Sequence, residues 1–201
     1  MLKDWSNVII PEEEEINERL EKARNKLVQQ QILIMQKKLP VLVSFDGWGA
    51  AGKGSILGKI IKNIDPRFFK VAVMDKPTED EKRRPFLYRY VINIPEAGKF
   101  TFMDGGCLDE VTKQKLSGKI TDEEYKRKIE SVKRFERQLS DNGYLVIKFF
   151  FHIGEQEQRK RLTRLLDDKN TRWRVSEYDL WQNQHYNCLL YTSDAADDLI
   201  G

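Results

Sequence analysis

The stretch PVLVSFDGWGAAGKGSILGKIIKNI, residues 40–64, decides how this chain folds. PVLVSF is a short apolar, β-branched run, and ILGKIIKNI places its apolar residues at helical spacing. Between them glycines at 47, 49, 52 and 54 surround Ala50 and Ala51, with Lys53 and Ser55 in the same turn. The natural reading is strand, glycine-rich turn, helix. With few side chains in the way, such a turn can curl its N–H groups toward phosphate oxygens, and the helix N-terminus adds partial positive charge. Lys53 supplies a full charge. The spacing from Gly47 to Gly52 and Lys53 fits G-x-x-x-x-G-K-[ST], but Gly54 stands where Ser or Thr is usual, and Ser55 comes one residue late. A tight connection would also use glycines; the lysine argues for an anion. The candidate phosphate-binding residues are therefore Gly47, Ala50, Ala51, Gly52, Lys53, Gly54 and Ser55.

Upstream, PEEEEINERLEKARNKLVQQQILIMQKK from Pro11 opens acidic and ends basic. Ile16, Leu20, Ala23, Leu27 and Ile34 recur at helical spacing, so a long helix with charges suited to its dipole is predicted. Downstream, Phe69 to Met74 and Lys99 to Asp104 read as strands. The helix-compatible EDEKRRPFLYRYVI, broken by Pro85, lies between them. Repeated strand–helix alternation implies a parallel sheet. Thr121 and Glu124 form a capping-box pattern ahead of EEYKRKIESVKRFERQL, and Asn142-Gly143 closes that helix. YLVIKFFF, the most hydrophobic strand, is expected at the centre of the sheet. Helical patterns follow over about 155–168 and 176–187.

Lys and Arg number 35 against 32 Asp and Glu, a net charge of +3, so bulk charge does not announce a nucleic-acid partner. Cys107 and Cys188 lack the paired spacing of a zinc site or disulfide framework, which favours a reducing, cytoplasmic setting. No apolar run approaches a membrane span, and MLKDWSNVII does not read as a signal peptide. The organisation expected is a helical segment over 1–40, a phosphate-binding domain over 41–187 and a non-native tail over 188–201. CLLYTSDAADDLIG resembles a translated sequencing adapter, the alternative being an ordinary polar tail.

FDGWGAAGKGS resembles the first phosphate-binding motif of the polyphosphate kinase 2 family, F-E-G-x-D-A-A-G-K-G, in which glycine follows the lysine. KPTEDEKRRPFLYRY resembles that family's E-P-T-x-E-E-x-x-R-P-F-L-W-R-F block. FERQLSDNGYLVIKFFFHI resembles F-E-R-x-L-x-D-x-G-x-x-I-x-K-F-x-x-H-I, and TRWRVSEYD resembles R-W-[KR]-x-[ST]-x-x-D. The ordered blocks run from about Gln30 to Asn187. The resemblance implies an α/β, three-layer P-loop kinase-like fold, a mainly parallel sheet flanked by helices, with a helical lid. It also implies phosphoryl transfer between inorganic polyphosphate and a nucleoside mono- or diphosphate, closest to the branch converting AMP to ADP, in which two such domains are often fused. A homo-oligomer or a fused sister domain is left open as partner; nucleic acid and membrane are not expected.

Two departures stand out. Gly49 takes the place of the family's turn aspartate, and Asp104-Gly-Gly-Cys-Leu-Asp-Glu110 that of D-R-S-W-Y-x-R. They leave open a second reading, a degenerate domain serving as a binding, regulatory or structural scaffold. Restoring Gly49→Asp with Gly105→Arg is then expected to raise turnover.

Phosphoryl transfer needs aligned anions with their charge neutralised by metal and cationic groups. Mg²⁺ prefers carboxylate oxygens, so Asp104 at a strand's carboxyl end is the first candidate ligand and Asp46 the second. Lys53 and Asp104 are the expected catalytic pair. Arg84 and Arg89, beside Phe86, Tyr88 and Tyr90, are the arginines the resemblance carries over; Lys76, Arg172 and Arg174 are weaker candidates for the polyphosphate path. Glu136 and Arg137 read as solvent-facing charges, His152 as a structural hydrogen-bonding residue, and Trp173 and Trp181 as packing aromatics.

Overall fold

The computed structural model of the chain describes residues 11–187. The expected non-native tail, with Cys188, lies outside the described residues. Four strands, β1 (Val41–Gly47), β2 (Phe69–Val73), β3 (Phe100–Asp104) and β4 (Leu145–Phe151), form one sheet in the order β2-β3-β1-β4. Every neighbouring pair is parallel, with Phe45 opposite both Asp104 and Phe149.

Side chains alternate across each strand and so divide the core in two. Val41, Val43 and Phe45 of β1, with Phe100 and Phe102 of β3, pack against helix α2 (Lys53–Ile61) through Leu57, and against α1 (Glu13–Gln36) through Leu27 and Ile34. On the other face Leu42 and Met103 meet α4 (Tyr88–Val91), α5 (Cys107–Leu116) and α6 (Asp122–Asp141) through Tyr90, Cys107, Val111, Ile129, Val132 and Leu139. Helix, sheet, helix is the three-layer α/β architecture expected. Leu27 and Ile34 tie α1 into this body, although most of its length is exposed and no basic residue occupies its last turn. Lys37 caps the helix instead.

Pro85 divides the stretch after β2 into α3 (Glu79–Lys82), capped by a Thr78–Glu81 box, and α4, because proline has no N–H to continue a helix. The Thr121–Glu124 capping box forms as read, and Gly143 takes the left-handed conformation, φ +80°, just past α6. The two last helices are α7 (Glu155–Asp167) and α8 (Glu177–Gln184), joined through a 3₁₀ turn at Arg172–Arg174.

One expectation needs correction. β4 is an edge strand among the described residues, paired only with β1, and Phe149 and Phe150 are exposed. Its apolar residues reach both core layers, Val146 one and Ile147 and Phe151 the other, but Lys148 interrupts them and none of its residues is buried. An apolar composition does not require two strand neighbours. Helix α5 was missed altogether, because Gly105-Gly106 masks the start of a helix that buries Cys107 and Val111.

Thr121 accepts from the Glu124 N–H at 3.2 Å, so Thr121→Ala should lower stability by about 1 kcal/mol, read as a shifted urea midpoint at constant slope.

Candidate functional site

β1 delivers the chain to the carboxyl edge of the sheet, where open α/β sheets place ligands. Gly47 turns there with φ +118°, and a Cβ on it would run into the Phe151 main chain of β4; glycine is the residue that lets the two backbones approach. The Trp48 N–H donates to Phe151 O at 3.0 Å, extending the β1–β4 pairing by one bond. Ala50 is left-handed at φ +58°, a conformation costing a non-glycine residue about 1–2 kcal/mol. Gly52, φ +98°, is the N-cap of α2, and Gly54 and Ser55 are exposed in its first turn, which carries no acidic side chain. The amides there face solvent with the positive end of the helix behind them.

Lys53 bends back over the turn. Its Nζ donates to Gly47 O and Trp48 O, both at 2.9 Å. Its charge also reaches Asp46 and Asp104, lowering the proton affinity of each. The Lys53 ammonium thus lies between the turn and the two carboxylates.

Asp104 ends β3 beside Phe45, and the N–H of the following Gly105 donates to Phe45 O at 3.1 Å. None of the described residues hydrogen-bonds its carboxylate. Burial is the main cause holding its pKa above the usual carboxylate range; Asp75 and Asp109 add to this, and Lys53 and Lys113 oppose it. Asp46 differs. It is 6% exposed; Oδ1 accepts the Gly106 N–H at 2.6 Å, and Oδ2 accepts the Ser44 hydroxyl at 3.3 Å. Burial, then repulsion from Asp109, pushes its pKa up to about 7. As a magnesium ligand Asp104 fits better, since the Asp46 carboxylate is already engaged in joining β1 to the start of α5.

The two arginines engage acidic side chains and main chain of the segments around them. Arg84 is exposed, donates to Asp80 at 2.9 Å and lies over the Tyr88 ring at 4.4 Å. Arg89 is buried, with Nη2 donating to Asp75 O at 2.7 Å, Nε facing Glu81 at 3.9 Å and Nη1 facing Glu110 at 3.7 Å. Glu110 also accepts from the Tyr90 hydroxyl at 2.7 Å, whose proton burial holds in place. Arg89 therefore knits α4 to α5 and the end of β2. Of the weaker candidates, Lys76, Arg172 and Arg174 are all exposed. Glu136 pairs with Lys148 at 2.8 Å, whereas Arg137 is solvent-facing near Asp141.

Trp173 does not pack as read: it is 76% exposed, with Arg174 at 5.5 Å from its ring. Trp181 does pack, stacking on Tyr178 and His185. His152 meets the Tyr186 hydroxyl at 3.2 Å, the structural role expected of it.

Two features escaped the sequence reading. Lys113 pairs with Asp109 at 2.5 Å and lies 4.9 Å from the Tyr178 ring; its charge also acts on Asp104. The second is the contact that Asp179 of α8, the last residue of the TRWRVSEYD block, makes with Gly49: a Cβ at position 49 would collide with the Asp179 carboxylate. That carboxylate is not free to swing aside, because its other oxygen accepts from Ser176 N–H and hydroxyl at 2.8 and 2.7 Å.

Comparison with known proteins adds to this geometry. The family model described as polyphosphate kinase 2 matches residues 11–200. The chain is 32% identical over 148 residues to a polyphosphate:AMP phosphotransferase of Pseudomonas syringae pv. tomato, covering 74% of this chain and 30% of that protein. It is 29% identical over 140 residues to an ADP-polyphosphate phosphotransferase 3 of Rhizobium meliloti, covering 70% and 49%. The chain thus spans half or less of the length of these two curated relatives. Among solved structures, a polyphosphate kinase 2 from Arthrobacter aurescens superposes with a TM-score of 0.82 at 25% identity, over 88% of this chain and 64% of that one. A putative polyphosphate kinase 2 from Pseudomonas aeruginosa gives a TM-score of 0.90 at 24% identity, over 98% and 42%, and shows the fold.

Two predictions follow from the site's packing. Gly49→Asp should lower stability by about 1–3 kcal/mol, since it overpacks against Asp179 and sets two carboxylates together; a raised melting temperature would contradict this. The second concerns Asp46, whose folded pKa lies above its ordinary 3.8, so the folded protein holds that proton more tightly than the unfolded chain. Its stabilising effect is complete below about pH 4 and lost as pH rises through about 7. In magnesium-free buffer the Asp46→Asn protein should therefore lose less stability than the parent between pH 5 and pH 8, by urea unfolding.

Proposed function

The chain belongs to the polyphosphate kinase 2 family, and from that premise we propose that it transfers phosphate between inorganic polyphosphate and a nucleotide, AMP to ADP being favoured, with magnesium in a cytoplasmic setting. The observation that carries the reading is the joint placement of Lys53, the exposed amides opening α2, and Asp104 at one edge of the sheet.

The residues have distinct tasks. The amides of Gly52, Lys53, Gly54 and Ser55 are proposed to bind phosphate oxygens, and Ala50 and Ala51 to shape the approach. Lys53, released from the carbonyls of Gly47 and Trp48, would neutralise charge on the transferring group; those two bonds keep its ammonium close by until an anion competes for it. Asp104 would hold magnesium, which when bound supplies charge neutralisation across the phosphates. Asp46 stands behind it, fixing the Gly106 amide and so the direction in which α5 leaves the sheet. Arg84 remains a proposed contact for the phosphate chain or base from its exposed position over Tyr88. Arg89 acts through the fold, holding α4 against α5.

Protein incubated with Mg²⁺, long-chain polyphosphate and AMP should form ADP, and Lys53→Ala should slow this by about 10²-fold or more. Product no greater than the Lys53→Ala background would favour the scaffold reading.

A further inference from the structure

The phosphate-binding turn is clamped from outside by a buried cluster of amide side chains. The Gly49 N–H donates to Gln182 Oε1 at 2.6 Å, and Gly49 O accepts from Gln158 Nε2 at 3.2 Å. The two glutamines also join each other, Gln158 Nε2 donating to Gln182 Oε1 at 2.9 Å. Asn183 Nδ2 closes the cluster on Gln158 Oε1 and on the main-chain oxygen of Glu155, both at 3.1 Å. Gln158, Gln182 and Asn183 are each nine-tenths or more buried.

Three amides shielded from water in one place are costly unless fully paired, and each is paired here through Gly49 or through one another. Nothing about packing α7 on α8 demands glutamines. What they accomplish is to seize both polar groups of a single turn residue, the one immediately before left-handed Ala50. The Gly49 N–H, taken by Gln182, is thereby withdrawn from the amides open to a phosphate.

The face of α8 and its extension that meets the turn reads Asp179, Gln182, Asn183 and Tyr186, a spacing of 0, 3, 4 and 7 residues. Asp179 sits against Gly49, Gln182 bonds it, and Tyr186 stacks on the preceding Trp48 at 4.6 Å. From α7, Arg161 Nη1 points at Ala50 O and Ala51 O at 3.4 and 3.5 Å. The absence of a side chain at 49 is what admits this helix.

We infer that Gln182 and Gln158 are positioning residues for phosphate binding, setting the turn's shape through Gly49 so that α8 and the turn act as one unit. This rests on the proposed phosphate-transfer reading, and the test separates the two. Binding of magnesium tripolyphosphate would be measured by titration calorimetry on the full chain, with hydrogen exchange of residues 47–52. Gln182→Met removes the acceptor, Gln182→Asn keeps an amide but falls one methylene short, and Leu162→Ala loosens α7 by packing alone.

Both Gln182 variants should bind about ten-fold or more weakly and exchange faster across the turn. Leu162→Ala should lower the melting temperature yet bind like the parent. In turnover assays the Gln182 variants should raise KM for polyphosphate more than they lower kcat. Gln158→Met combined with Gln182→Met should cost less than the sum of the two. Parent-like affinity in Gln182→Asn, or an equal loss in Leu162→Ala, would overturn the inference alone. A parent protein that takes up no tripolyphosphate would instead overturn the reading beneath it.

Discussion

Main chain must come within contact of other groups twice in three residues, at Gly47 and Gly49, and the site depends on both approaches. At Gly47 the neighbour is the backbone of Phe151, so β4 lies flush against β1 as far as the turn. At Gly49 the neighbour is Asp179, so α8 docks on the turn's outer side. Together these fix where the chain leaves the sheet and the direction in which α2 starts. They also support Ala50, whose left-handed backbone needs its surroundings to hold it.

Much of this was legible in the residues. Short apolar runs alternating with helical patterns announced a parallel sheet, and the glycines with Lys53 announced the turn. Capping signals at Thr121 and Gly143 located helix ends because they act through neighbours three or four residues away. What was not legible concerns long-range partners. β4 looked central because it is rich in apolar residues, and composition is silent about neighbouring strands. Arg84 and Arg89, which the resemblance carries over together, differ in burial: one faces solvent over Tyr88, the other is enclosed by Asp75, Glu81 and Glu110.

Gln158, Gln182 and Asn183 were invisible for a further reason. A buried glutamine is chemically the same letter as an exposed one, and only the 109 and 133 residues of separation closed by folding bring them to Gly49. The signal available was the 179, 182, 183, 186 spacing, polar where a core-facing stripe is ordinarily apolar.

The departures from the family's motifs can now be weighed one by one. Glu110 is no vacancy left by an arginine: its carboxylate accepts the hydrogen bond that the Tyr90 hydroxyl donates and faces the Arg89 guanidinium, so a cation there would stand against Arg89 in a buried space. Gly49 lies against Asp179, the aspartate that ends the TRWRVSEYD block and so belongs to the pattern this chain shares with the family. Gly105 sits at φ +98° with its would-be Cβ 3.3 Å from Met74, a backbone that an arginine enters only with strain. Glu110 and Gly105 therefore each sit in surroundings suited to them. Random decay leaves unmatched charges and voids, whereas here the substituted positions and their surroundings agree. Introducing the family's aspartate and arginine at 49 and 105 would restore the letters of the motif while disturbing the packing that now replaces them. For that reason the turn of this chain is to be judged with α7 and α8 as a single structure, and its capacity for phosphate transfer does not follow from its motif string alone.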